Sequence, residues 1–379
     1  MCYSARIRAD YAKFVRQYDA SVSLEDFFQL YWLRQQDGKA KVPRALDAAF
    51  LDDPAAARLH PLIHAHAAAE ATRLEQELFA QRARLVKAER VLATKPTKKA
   101  ADDQRIATSK IAKAQARMAE LKRPPGDDDA RIYPGYFAPV MVAERGERVI
   151  KPMRYQCRPC GKPADYDRKY PGTYNARRDN LEGFWKEQFG HTHGVAVLTA
   201  FHEHVPRHAA EGRALEPGEK ESTVVLEFRP DPPQDMLVAC LWSRWTGPDG
   251  EELLSFAAIT DDPPPEVAAA GHDRCIIPIK GEHLAAWLRP GGDLSMAYAI
   301  LDDRARPYYE HLMAVRTTHK LEPWVRFFLL GMRETAALSR ELRLPEWRYQ
   351  TGAEWPLSAT TTVTAGWIFF CRRTCWTKF

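Results

Sequence analysis

The sequence predicts an α+β protein in which curved antiparallel β-sheets, flanked by helices, are interrupted by an inserted antiparallel helical hairpin. Three observations predict this. Two apolar seams at three- and four-residue spacing precede residue 124. Short β-branched or aromatic runs, punctuated by Gly and Pro clusters, follow residue 130. The strand-helix-strand alternation of a parallel doubly wound sheet is missing from the chain. With 379 residues, 45% of them hydrophobic, one large core or two smaller ones can be built.

The chain opens with Met1-Cys2 and a short strand-like run within residues 1–20. Ser23 with Asp26 three residues on resembles a capping box, and Phe27, Phe28 and Tyr31 share one face of a helix that Asp37-Gly38 should stop. From Leu62 a long helix is expected, with Ala71, Leu74, Leu78, Gln81, Leu85, Ala88 and Leu92 along its seam. Lys95-Pro96-Thr97-Lys98-Lys99 breaks it. Ala107, Ile111, Ala114, Met118 and Leu121 then resume the spacing until Pro124-Pro125-Gly126, which is the pattern of a helical hairpin.

Beyond Asp127-Asp128-Asp129, strands are expected at 139–143, 195–201, 223–228, 236–242, 253–259 and 275–279. Helices are expected at 180–189 and at 282–288, ending at Pro290. A further helix is expected at 324–342, followed by a Trp- and Thr-rich tail over 351–379.

Composition narrows the class. Seven cysteines are an odd number, no secretory pattern is present, and no apolar run nears the ~20 residues of a membrane span. The expectation is a cytoplasmic protein with reduced thiols and no membrane contact. The net charge of +5 is unevenly spread. Residues 82–123 hold thirteen Lys/Arg against four Asp/Glu, so the remainder is net acidic. That stretch reads either as a solvated coiled-coil face or as an arm that contacts phosphates, a protein partner or a second copy.

Once Met1 is removed, Cys2 carries a free amine and a thiol on neighbouring carbons. The amine can condense with an aldehyde to an imine, and the thiol can then close a thiazolidine ring on the same carbon. Free, the two groups titrate near ~8 and ~8.5, so at neutral pH both need help from neighbours. Four polar blocks in the strand-rich part could provide it: Met153–Pro159, Tyr174–Asp179, Ala200–His204 and Gly271–Arg274. Each also has an ordinary reading: Asn175 as a helix cap, Glu203 in a salt bridge, His272 in a turn.

In this order, with Cys2 in front, the blocks resemble the SRAP family, the SOS response-associated peptidases known for cross-linking abasic sites in DNA. The family's Trp-Gly-Leu-x-Pro is answered by Tyr155-Gln156-Cys157-Arg158-Pro159. Its Asn-Ala-Arg-x-Glu is answered by Asn175-Ala176-Arg177-Arg178-Asp179, and its Gly-Phe-Tyr-Glu-Trp by Ala200-Phe201-His202-Glu203-His204. His272-Asp273-Arg274-Cys275-Ile276 stands for His-x-Arg-Met-Pro. Val238–Trp242 is similar to an Ala-Gly-Leu-Trp strand. Tyr155, Asp179, His204 and Tyr3-Ser4 depart from the pattern.

The resemblance implies a barrel-like core. A catalytic, DNA-binding domain would comprise 1–20 and 131–310, with 21–130 as a helical insertion and 311–379 as a C-terminal helix and tail. It implies Cys2, Asn175, Glu203 and His272 as catalytic residues. Glu203 would relay protons to the Cys2 amine, Asn175 would hold the Cys2 end, and His272 would contact the sugar oxygen. Arg177 and Arg274 would clamp phosphates, and Tyr155 and Phe201 would stack on bases. The implied partner is single-stranded DNA bearing abasic sites, with nucleoid association when bound, self-removal of Met1, and no metal or cofactor.

Two rival readings stay open. An N-terminal cysteine amidohydrolase would use the same thiol on an amide. A zinc-bearing binding module would draw on Cys157, Cys160, His191, His193, His202 and His204.

Overall fold

The computed structural model describes residues 3–305 and 308–310. Cys2, the expected 324–342 helix and the 351–379 tail lie outside the described residues.

Strand β1 (Ser4–Ile7) is followed by helices α1 (Tyr11–Tyr18), α2 (Leu24–Asp37), α3 (Arg44–Leu51), α4 (His60–Thr94) and α5 (Lys98–Lys122). Helix α2 begins and ends where the sequence predicts. The Ser23 hydroxyl, however, donates to the Asp26 carboxylate at 2.6 Å rather than accepting from a backbone N–H. Gly38 closes α2 at φ 66°, a left-handed cap that a side chain would disfavour.

Helices α4 and α5 form the expected hairpin. Leu74, Gln81 and Ala88 are buried along α4, and Ala114, Ala107 and Ala100 along α5, each set at seven-residue intervals. Arg84 meets Asp103 at 2.6 Å and Lys110 meets Glu77 at 3.2 Å across the seam. Three buried alanines on one side permit the close approach that such packing requires. Thr97 caps α5 by accepting from Ala100 N–H.

The strand-rich part closes on itself. It comprises β2 (Phe137–Glu144), β3 (Glu147–Tyr155), β4 (Asn175–Arg177), β5 (His193–Pro206), β6 (Thr223–Asp231), β7 (Met236–Thr246) and β8 (Glu252–Asp261). Strands β2, β3, β8, β7 and β5 pair in a ring that returns to β2, a closed five-stranded barrel with the other strands outside it. Most pairs are antiparallel, as expected. The β3–β8 pair is parallel (Ser255↔Arg154, Phe256↔Tyr155), and so is β4 on β8. No tight hairpin joins β3 or β4 to β8, so connection length leaves the direction of these pairs free.

Side chains alternate across the barrel wall with the two-residue period of a strand. Val140, Met153, Ala196, Leu198, Val238, Cys240 and Phe256 share one core. Met141, Ile150, Val195, Val197, Leu237, Ala239 and Ala257 face the other way, where Tyr11, Phe27, Tyr31, Phe50 and Trp287 cover them. Helices α1 to α3 therefore share a core with the barrel, which the expected division at residue 21 does not convey. No described residue between Ile63 and Ala130 belongs to either core.

Three local expectations change. Residues 180–189 form successive turns rather than a regular helix, with Asn180 Oδ1 accepting from Phe184 N–H. Residues 282–288 divide into a 3-10 turn, Gly281–His283, and one helical turn, Leu284–Trp287. A helix at Leu294–Asp302, capped by Asp293, was not expected.

Candidate active site

One irregularity positions the central acid. Between Arg6↔Ala200 and Ile7↔Leu198 the β1–β5 register slips by one residue at Thr199. Before the slip, the even-numbered Ala196 and Leu198 belong to the second core; after it, the odd-numbered Phe201 and Val205 do. Glu203, between those two, is thereby turned onto an apolar face and is 0% exposed.

Burial pushes the Glu203 carboxyl up to about 8, against the pull of the neighbouring Tyr3 backbone N–H. His272 Nε2 lies 3.3 Å from Glu203 Oε2. Burial also holds the His272 imidazole below its usual range. At neutral pH both groups are therefore uncharged, and their 3.3 Å contact is not an ion pair. His272 Nδ1 lies 2.7 Å from the Arg274 carbonyl, which can only accept, and 3.3 Å from the Arg274 N–H, which can only donate; the shorter contact favours the ring proton on Nδ1. In that tautomer Nε2, the nitrogen that faces the Glu203 carboxyl, is a proton acceptor. Gly271, at φ 90°, sets this turn, and a Cβ there would lie 2.7 Å from Ala209 Cβ.

The chain enters beside this pair. Ser4 pairs with His202 across β1 and β5, and its hydroxyl accepts from Arg131 Nε and Nη2 at 2.9 and 2.7 Å. Tyr3 is 42% exposed and meets the rings of His204, Tyr133 and Tyr174 edge-on at 5.6, 6.0 and 6.2 Å. Asn175, next to Tyr174, begins β4 and is buried. Neither its Oδ1 nor its Nδ2 has a hydrogen-bond partner among the described residues. Leaving such an amide unsatisfied costs about 1–3 kcal/mol, which a folded chain retains where something else is to be bound.

The other predicted residues divide. Arg177 and Arg274 both reach Asp179: Arg177 Nε at 3.1 Å, Arg274 Nη2 at 3.8 Å, with Arg274 also 3.5 Å from Asp262. This joins the Asn175 and His272 blocks at one edge, and any phosphate there would compete with a carboxylate. Tyr155 and Phe201 are not placed to stack on bases. Tyr155 is 2% exposed and stacked on Phe256, and Phe201 is 0% exposed and stacked on Phe228, so packing occupies both rings. Exposed aromatic surface is offered instead by Tyr3, a position at which the chain departs from the family pattern.

Beside the acid, on the opposite face of β5, His202 Nε2 lies 3.2 Å from Glu227, its cross-strand partner. Burial alone would raise Glu227, but the His202 hydrogen bond and the Arg6 and Arg229 guanidiniums hold it down at about 2. Sequence reasoning missed this network, although His202 and Glu227 lie in or beside strands that the sequence predicts. The residues of the zinc reading are dispersed: His193 bonds Gly190 N–H and the Trp287 carbonyl, Cys157 is buried and Cys160 exposed. Among the described residues the only metal-capable trio is Glu282, His283 and Asp303, and Asp303 already pairs with Lys280.

A closed α+β barrel whose wall buries a neutral carboxyl against an imidazole holds, in class, an acid/base pair beside an N-terminal strand. The family model for SOS response associated peptidase (SRAP) matches residues 93–320, more than half of the chain. The protein belongs to that family. Among solved structures, a protein from Bacteroides thetaiotaomicron is 16% identical (50% of this chain, 82% of that chain, TM-score 0.39). One from Bordetella bronchiseptica is 19% identical (51% and 90%, TM-score 0.37). A phage-related protein from Bordetella bronchiseptica is 18% identical (48% and 80%, TM-score 0.36). No curated protein matches.

Proposed function

We propose that the protein, a member of an SOS response-associated family, binds single-stranded DNA and joins Cys2 to abasic sites as a thiazolidine after Met1 is removed. The observation that carries this reading is the neutral Glu203–His272 pair beside the chain's entry at Tyr3. A carboxyl titrating near 8 remains a proton donor at neutral pH, which dehydration of a carbinolamine requires.

The steps balance. The Cys2 amine, as free base, adds to C1′ of the ring-opened sugar and gives a carbinolamine. Glu203 donates its proton to the departing hydroxyl, water leaves, and an iminium remains. The Cys2 thiol adds to that carbon and loses its proton, and His272 Nε2 relays the proton back to the carboxylate. One water is released per cross-link. Asn175 would orient the Cys2 end with its unpaired amide, and Arg177 and Arg274 would exchange Asp179 for phosphates.

The test is incubation with an abasic single-stranded oligonucleotide followed by a denaturing gel. Wild type should give a shifted band that Cys2→Ala lacks, and an unmodified oligonucleotide should give none. A band that survives Cys2→Ala would assign the chemistry to a lysine imine and overturn the reading.

A further inference from the structure

The hairpin of α4 and α5 is an addition to the barrel that the site does not use. Of its thirteen cations between residues 82 and 123, five are neutralised: Arg84 by Asp103, Arg105 by Asp102, Lys110 by Glu77, Arg117 by Glu120 and Arg123 by Asp129. Around the tip, Arg82, Lys87, Arg90, Lys95, Lys98 and Lys99 are exposed and have no acidic partner among the described residues. Glu89 is the one acid of that stretch outside an ion pair. The neutralised cations lie mostly along the seam and at the base, so charge is concentrated where the two helices turn. From Leu74 to Thr94 at 1.5 Å per residue, α4 carries this charge about 30 Å outward along its axis, beyond both cores.

We propose that the hairpin tip is a second nucleic-acid contact, an arm that grips the phosphates of double-stranded DNA. Three features select this occupant. The tip sequence Lys95-Pro96-Thr97-Lys98-Lys99 has no large apolar residue to insert into a membrane. A second copy joined tip to tip would bring like charges together. Single-strand binders stack bases on aromatic rings; the hairpin's exposed Phe79 lies about 22 Å along α4 from its last residue, Thr94, and from there through residue 132 the sequence contains no Phe, Tyr, Trp or His. What remains is contact with phosphates alone, and duplex DNA presents them at the greatest density, one charge per about 1.7 Å of axis.

The proposal is independent of the covalent chemistry, and its test keeps the two apart. Binding of an unmodified short duplex by full-length protein is measured by fluorescence anisotropy across a salt series. The variants are Lys95→Gln/Lys98→Gln/Lys99→Gln and Arg82→Gln/Lys87→Gln/Arg90→Gln, all at exposed positions. For every phosphate no longer neutralised, the log–log salt slope should flatten by about 0.9, so either triple variant should lower the slope by up to about 2.7 and weaken affinity at least roughly tenfold at low salt. Circular dichroism should show unchanged helix, and cross-linking to a single-stranded abasic oligonucleotide should be retained. Failure of wild type to bind duplex, an unchanged slope in both variants, or a change in oligomeric state without a change in slope would overturn the proposal. Absence of cross-linking with the expected slopes would sink the covalent reading alone.

Discussion

Glu203 is neutral at pH 7 because it lies between Phe201 and Val205 on the apolar side of its strand, and this has two measurable consequences. The folded state holds a proton up to about pH 8 that the unfolded chain gives up near 4.5, so this group's contribution to stability declines as pH rises through that window. Glu203→Gln should therefore stabilise the fold by roughly a few kcal/mol at pH 8 and by little below pH 4.5, read from urea midpoints at both pH values. For cross-linking, wild type should follow a bell whose descending limb lies near pH 8. Glu203→Gln should react at least about a hundredfold more slowly and without that limb. A second residue reports on backbone strain. Gln156 has φ 108°, the region that favours glycine, at the place where the family block has Gly. Gln156→Gly should relieve about 1–3 kcal/mol of strain, against which the loss of its 3.0 Å and 3.4 Å amide contacts to the Asp167 and Pro171 carbonyls counts about 1 kcal/mol, so the thermal midpoint should rise.

At the scale of elements, the one-residue slip at Thr199 decides which of three adjacent polar side chains becomes the acid. Strict alternation from Ala196 and Leu198 would have turned His202 and His204 inward and left Glu203 on the other face. Sequence inspection marks the His202-Glu203-His204 cluster but cannot supply that parity, since a bulge is a property of paired strands. The turn before His272 is equally constrained. Gly271→Ala meets both a positive φ and Ala209, and it should displace the imidazole from Glu203. The expected outcome is a destabilisation of about 1–3 kcal/mol with a slower cross-link and an altered His272 titration by NMR.

Over the whole molecule, the hairpin and most barrel strands were legible because their periods are regular. The heptad spacing of Leu74, Gln81 and Ala88 and the apolar runs of β5, β7 and β8 survive in the folded chain. Strand β3 was obscured by Glu147, Arg148, Lys151 and Arg154, whose charges hide the alternation. The closure of the barrel through a parallel β3–β8 pair depends on residues about a hundred positions apart, and local pattern holds no trace of it. The shared core of α1 to α3 was missed for the same reason: Phe27, Tyr31 and Phe50 show an apolar face but not what it will meet. Because neither core includes the distal hairpin, replacing residues 75–113 by a short Gly/Ser link should leave the barrel's calorimetric transition within about 5 °C of wild type.

The pairing of Ser4 and Ala5 with His202 and Phe201 also governs when during synthesis the site can assemble. During synthesis β1 must wait for its partner nearly two hundred residues later, and His272 emerges later still. At about 5–20 residues per second, that leaves the growing chain for many seconds with β1 unpaired and without Glu203 beside it. Under the proposed chemistry, reactivity would be switched on by completion of the fold, because Glu203 and His272 come together only then.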